Sequence, residues 1–382
     1  MQKTICIFSA LYDPHIGGVE NFTKELSKAL IQRGFQIIIV TNNHASLPSF
    51  ENPEPGLRIY RLPCRSLLGD RLPLPKRNAE FRKLMDELKR TPIDALCINT
   101  RFYPHSLVGA NVARKKGIRP IVIEHGSDYL TLGNPLFDAV IKRYEHHMTD
   151  KLKRFDPDFY AVSQQGSHWL KTFDIASKGQ ISNAINTSEF LSRNSQRDFR
   201  TEFKIPQDTP IVAFVGRLTP EKGIKELVEA AELLSTRTST QFLIAGNGTL
   251  RASLEESASP NVHFLGALPQ QDIVALLEAA DALCLPSRSE GFATVLLEAA
   301  ACKTVPVITH VGGVDELIPD SDHGIVLSSK EPSVIAEALL ALGNDPEGMH
   351  VMANTIYERV KNGYNWQKTA DTLIRAIEAA RQ

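Results

Sequence analysis

The chain has 382 residues, too many for one ordinary hydrophobic core, so two domains of roughly 190 residues each are expected. Its 42% hydrophobic and 23% charged content excludes a disordered or fibrous chain. The formal charge of −1 hides a split: residues 1–195 carry 27 Lys and Arg against 19 Asp and Glu, and the remainder 16 against 25, which points to an anionic partner for the front half only.

The first residues, Met1 to Ser9, read as a strand, since their apolar run is too short for a signal peptide. Further strand-like runs in the front half are Gln36–Val40, Ala95–Ile98, Ile121–Ile123 and Phe159–Val162. Between the first two strands, Val19–Arg33 has a helical period, with Phe22, Leu26, Leu30 and Ile31 on one face and Gly34 as its end. After a polar stretch the pattern restarts with Ile211–Val215, Phe242–Ala245, Val262–Leu265, Ala282–Leu285, Val305–Ile308 and Gly324–Leu327. Short apolar strands alternating with helices predict α/β domains with parallel sheets covered on both faces. The restart sets the expected domains at 1–186 and 187–365, with an amphipathic helix over about 366–382 to be buried on one of them. Cys6, Cys64, Cys97, Cys284 and Cys302 are scattered and form no C-x-x-C pair, which suits a reducing cytosol better than a disulfide framework or zinc site. No run of about 18 apolar residues is present to span a membrane.

Several segments carry chemistry. Gly17-Gly18-Val19-Glu20 follows the first strand and opens the first helix, where backbone donors can meet a phosphate; as an ordinary turn it would look the same, and it lacks the third glycine of a dinucleotide fingerprint. Basic residues (Arg58, Arg61, Arg65, Arg71, Lys76 and Arg77) interleave with Leu67, Leu68, Leu72 and Leu74, and a second group follows at Lys142, Arg143, Lys151, Lys153 and Arg154. That mixture suits an anionic membrane face or a plain solvated surface, and no aromatic stacking pattern recommends nucleic acid. His125 follows a strand, at the edge where open α/β sheets bind ligands, and can donate to a sugar hydroxyl or serve as a structural side chain. His146-His147 reads as a solvated helix face. Asp156-Pro157-Asp158 resembles an acid-x-acid metal motif but reads better as a turn into a strand, and no metal is expected.

In the back half, Gly216-Arg217-Leu218-Thr219-Pro220-Glu221-Lys222-Gly223 places a planar cation and a mobile one across a turn, able to converge on one diphosphate. Ser289-Glu290-Gly291-Phe292-Ala293-Thr294 then runs from a polar turn into a helix containing Glu298. A helix start favours an anion, and two acids beside such a site suit hydroxyl groups. Glu290 is expected in the loop, near a sugar hydroxyl, and Glu298 within the helix, near a ribose diol. A glycosidase pair would need the two facing each other across one bond.

Taken together these motifs resemble glycosyltransferase family four, the retaining enzymes of GT-B architecture also described as glycosyl transferases group 1. The matching residues are Gly17-Gly18, His125, Gly216-Arg217 with Glu221-Lys222-Gly223, Ala245-Gly246-Asn247-Gly248, Phe264-Leu265-Gly266, Pro286-Ser287 with Glu290-Gly291-Phe292 and Glu298-Ala299, and Gly312-Gly313. The resemblance implies two Rossmann-like parallel-sheet domains facing a cleft, with the final helix returning to the first. It implies donor contacts by Gly17, Gly18, Arg217, Lys222, Gly291, Phe292, Ala293, Thr294 and Glu298, and catalytic roles for Glu290 and His125. The reaction it implies moves a hexose from a UDP-sugar or GDP-sugar to a glycan or lipid-linked acceptor, without cofactor or metal, in the cytoplasm or at the inner face of the membrane. A nucleotide-sugar 2-epimerase and a non-catalytic nucleotide-sugar-binding protein are the alternatives. Three departures stand out: Ala293 replaces the usual glycine, Ala300–Pro306 runs one residue longer, and Asn183-Ala184-Ile185-Asn186 replaces the usual N-G-V-D turn.

Overall fold

The computed structural model describes residues 2–15, 17–67, 72–131 and 135–381. They form two compact units, Met1–Asn183 with Trp366–Gln382, and Ala184–Asn365. The front unit contains β1 (Thr4–Ser9), β2 (Gln36–Asn43), β3 (Phe50–Glu54), β4 (Leu57–Leu67), β5 (Leu72–Pro75), β6 (Ala95–Asn99), β7 (Ile121–Glu124) and β8 (Asp158–Ala161). Its sheet runs β3-β4-β2-β1-β6-β7-β8, with β5 paired to β4. Six of these strands, β4-β2-β1-β6-β7-β8, are parallel, in the 3-2-1-4-5-6 order of a doubly wound fold. The helix Gly18–Gln32 buries Phe22, Leu26 and Leu30 as its period requires. Each such burial contributes about 1.5–3 kcal/mol.

The back unit contains β9 (Ile211–Val215), β10 (Gln241–Ala245), β11 (Val262–Gly266), β12 (Ala282–Leu285), β13 (Val305–Thr309) and β14 (Ile325–Leu327). The order is β11-β10-β9-β12-β13-β14, every pairing is parallel, and it repeats the 3-2-1-4-5-6 arrangement. Strands β9, β10, β12 and β13 are almost wholly buried, which explains their unbroken apolar sequences. The fold is α/β of GT-B type, two Rossmann-like units in one chain.

The segment 44–80, which shows no apolar strand-like run, carries three strands. β3 is antiparallel to β4 at the sheet edge and mostly exposed, so it shows Glu, Asn and Pro rather than an apolar run. β4 is interrupted by Arg58, Arg61 and Arg65, which gives it the look of a basic surface stretch.

Candidate active site

In the back unit the expected residues gather on the loops leaving β9 and β12, adjacent strands that flank the point where strand order reverses. Open α/β sheets bind ligands at that point. Lys222 Nζ lies 2.5 Å from Glu290 Oε1, and Ser287 Oγ donates to the same oxygen at 2.9 Å. Both charged side chains are largely buried, whereas Arg217 is exposed and 3.3 Å from Glu221. The loop after β13 locks this corner: the Gly312 N–H donates to the Glu290 carbonyl at 3.1 Å. A Cβ on Gly312 would fall 2.4 Å from the carbonyl oxygens of both Glu290 and Gly291, so only glycine fits.

Glu290 lies in the loop and Glu298 in the helix Thr294–Ala301, as the spacing predicts. Ala293 begins that helix at φ −72, a conformation open to any residue, and no side chain caps the end. Its first N–H groups are therefore available to an anion. Phe292 and Ala293 are buried. Glu298 is half-buried, its carboxylate without a hydrogen-bond partner among the described residues, and burial pushes that carboxyl up to about 7.

In the front unit, His125 follows β7. Its Nε2 lies 3.2 Å from Asn99 Oδ1, and its ring stands edge-on to Phe22 at 4.8 Å. Burial pulls its pKa down to about 3, so it is neutral at physiological pH. The loop that follows is fastened by residues with no motif to announce them. Buried Arg101 binds Glu124 at 2.8 Å and Glu145 at 2.6 Å, and its guanidinium lies over the Phe173 ring. Those carboxylates accept from the N–H groups of Gly126 and Leu130, both at 2.9 Å. Asn99, Arg101 and Glu145 belong to no motif in the sequence, and only the adjacency of strands reveals them.

At Gly17 the close neighbour is Glu20, whose carboxylate would lie 2.3 Å from any Cβ there, while Gly18 is open. Arg61 is not part of a basic surface, since it is buried and bound to Glu51 at 2.8 Å. Leu68 and Arg71 lie outside the described residues. His147 is exposed, but His146 is partly covered: its Nε2 meets the Tyr129 hydroxyl at 2.7 Å and its ring packs on Phe173. Asp156 and Asp158 are both held by Arg119 at the start of β8. Among the described residues no group of three or more His, Cys, Asp or Glu is arranged to hold a metal.

Glycosyltransferase Family 4 matches residues 16–189, and Glycosyl transferases group 1 matches residues 195–359, together most of the chain. An uncharacterized glycosyltransferase of Methanocaldococcus jannaschii is 23% identical over 387 residues, covering 98% of each chain. Among solved structures, sucrose-phosphate synthase from Thermosynechococcus elongatus superposes with a TM-score of 0.78 at 21% identity, over 99% of this chain and all of that one. Anabaena HepE in complex with UDP-glucose gives 0.73 at 16% identity, over 98% and 99%. The chain belongs to the glycosyltransferases, its front half to glycosyltransferase family 4 and its back half to glycosyl transferases group 1.

Proposed function

We propose that this transferase moves a hexose from a nucleoside-diphosphate sugar, a UDP-sugar in the first instance, to a glycan or lipid-linked acceptor, retaining anomeric configuration and using no metal. The observation that carries the reading is the corner between β9 and β12, where a largely buried Lys222–Glu290 pair joins the two loops and the Glu290 loop runs into an uncapped helix whose Glu298 carboxylate has no hydrogen-bond partner among the described residues. Lys222, Arg217 and the N–H groups of Phe292, Ala293 and Thr294 supply positive charge where a diphosphate leaving group develops its own. Glu298 takes the ribose diol, Glu290 and His125 take the sugar, and Gly291 lets the loop approach the donor. In the front unit the Gly17-Gly18 turn is assigned to the donor side.

HepE, which shares this fold, was solved with UDP-glucose, and a uridine donor is proposed by analogy with it. Titration calorimetry with UDP, GDP and ADP tests this. Binding of UDP that is at least tenfold tighter than GDP and ADP, and unaffected by EDTA, supports the reading. No binding of any of the three overturns it.

A cytoplasmic place at the inner membrane face is part of the same proposal. The helix Pro135–Lys153 leaves Leu136, Phe137 and Val140 82%, 61% and 67% exposed, on the same element as Lys142 and Arg143. Apolar and basic side chains together suit an anionic lipid surface. Among the described residues no helix is long and apolar enough to cross a membrane. Flotation with vesicles containing phosphatidylserine should show binding that weakens with added salt, and absence of binding at low salt rejects the contact.

A further inference from the structure

We propose that Asn99, held by Thr23, sets the tautomer of His125, so that its imidazole presents a bare Nδ1 and reads a substrate hydroxyl by accepting a hydrogen bond from it. The hydroxyl-bearing ligand rests on the sugar-transfer reading above; the tautomer does not.

The assignment follows by commitment of protons along one buried chain. Ser9 Oγ donates to the Leu11 carbonyl at 2.9 Å, and Thr23 Oγ1 donates to the Val19 carbonyl at 2.7 Å. A carbonyl oxygen only accepts, so both hydroxyl protons are taken. Thr23 Oγ1 therefore meets Asn99 Nδ2, 2.7 Å away, as an acceptor. That fixes the amide with Nδ2 toward Thr23 and Oδ1 toward His125. Because Oδ1 cannot donate, the proton in the 3.2 Å contact belongs to His125 Nε2. Burial keeps the ring neutral, with its pKa lowered to about 3, so Nδ1 holds a lone pair. No described residue hydrogen-bonds to that Nδ1. Ser9, Thr23 and Asn99 are almost wholly excluded from water, at 0%, 0% and 2% exposure, so no solvent proton competes within the chain.

The consequence is a direction of recognition. A lone pair at Nδ1 welcomes a hydroxyl and repels a carboxylate or phosphate oxygen, so the position selects a neutral hexose hydroxyl over a uronate. It reverses the expectation that His125 donates. Asn99 and Thr23 act through His125 and are positioning residues.

The test uses the full chain labelled with 15N-histidine, with His125→Gln to assign the signal and two-bond ring couplings to report which nitrogen carries the proton. The parent should show neutral, Nε2-protonated His125 from about pH 8 to about pH 5. Asn99→Asp keeps the shape but puts a carboxylate at Nε2. It should preserve that tautomer and raise the titration midpoint by about 1–3 units. Thr23→Val frees the amide to turn and should give a mixture of tautomers. An Nδ1-protonated or charged His125 in the parent overturns the proposal, as does an unmoved midpoint in Asn99→Asp. A single unchanged tautomer in Thr23→Val removes Thr23 from the device. If that variant fails to fold by circular dichroism, the parent and Asn99→Asp decide alone. None of these readouts needs a donor or acceptor, so they and the nucleotide calorimetry succeed or fail independently.

Discussion

Lys222 and Glu290 form one electrostatic unit, so neither can be altered without changing the other. Glu290→Gln keeps the side-chain shape and the bond from Ser287 but removes the counter-charge that Lys222 now faces at 2.5 Å. Lys222 is then freer to meet a phosphate, and UDP should bind up to about fivefold more tightly, the scale of a pair worth about 1 kcal/mol. Transfer should fall on the order of 100-fold as the sugar loses the negative charge it faces. Weaker UDP binding by calorimetry would take Lys222 away from the phosphates. Glu298 makes a separate prediction through pH. Burial raises its carboxyl from 4.5 to about 7, so within that window the folded protein holds a proton that the unfolded chain releases. Stability from this group therefore falls as pH rises from about 4.5 to about 7, and is level on either side. Glu298→Gln removes the titration, so the variant's Tm minus the parent's should climb across that window and plateau above it. Glu145, also raised to about 7 by burial against the opposing charge of Arg101, slopes the same way in both proteins and cancels from the difference. A flat difference would place the Glu298 carboxyl in water.

At the scale of elements, the corner depends on backbone loops that touch too closely for side chains. Gly312→Ala would drive a methyl group into the carbonyls of Glu290 and Gly291 and displace the carboxylate-bearing turn. Overpacking of this kind costs about 1–3 kcal/mol, and misplacement of the turn should weaken UDP binding on the order of tenfold or more. Thermal denaturation and calorimetry read the two effects; unchanged affinity despite a lowered Tm would uncouple the β13 loop from the donor. This dependence on neighbours also marks what sequence could convey. The buried parallel strands were readable because Ile211–Val215 or Val305–Ile308 is apolar throughout, and Glu290 in a loop with Glu298 in a helix followed from the glycine and the helical run between them. β3 was hidden because an exposed edge strand has no reason to be apolar. The Lys222–Glu290 contact and the Thr23–Asn99–His125 chain were hidden because each joins segments tens of residues apart that meet only once strands are placed side by side.

Across the whole molecule, the two units repeat one strand order, yet residues near the end of the chain belong to the first of them. The helix Trp366–Ala380 packs on the helix Gly18–Gln32: the Trp366 ring lies 5.7 Å from Phe22, Thr369 donates to the Ser182 carbonyl at 3.1 Å, and Arg33 meets Asp371 at 2.6 Å. Phe22 touches Trp366 on one side and His125 on the other, so this remote helix supports the residue proposed to meet the sugar in the front unit. Trp366 is 8% exposed, and Trp366→Ala should cost the front unit about 3–5 kcal/mol. Arg33→Ala, an exposed pair, should cost at most about 1 kcal/mol. Because the proposed nucleotide contacts lie mainly in the back unit, UDP should raise one calorimetric transition by mass action, and Trp366→Ala should lower the other. The variant should also disturb the His125 ring signals, since Phe22 loses the surface that holds it edge-on. If Trp366→Ala instead moves the UDP-sensitive transition and leaves His125 untouched, the helix stabilises the back unit and the link through Phe22 is wrong.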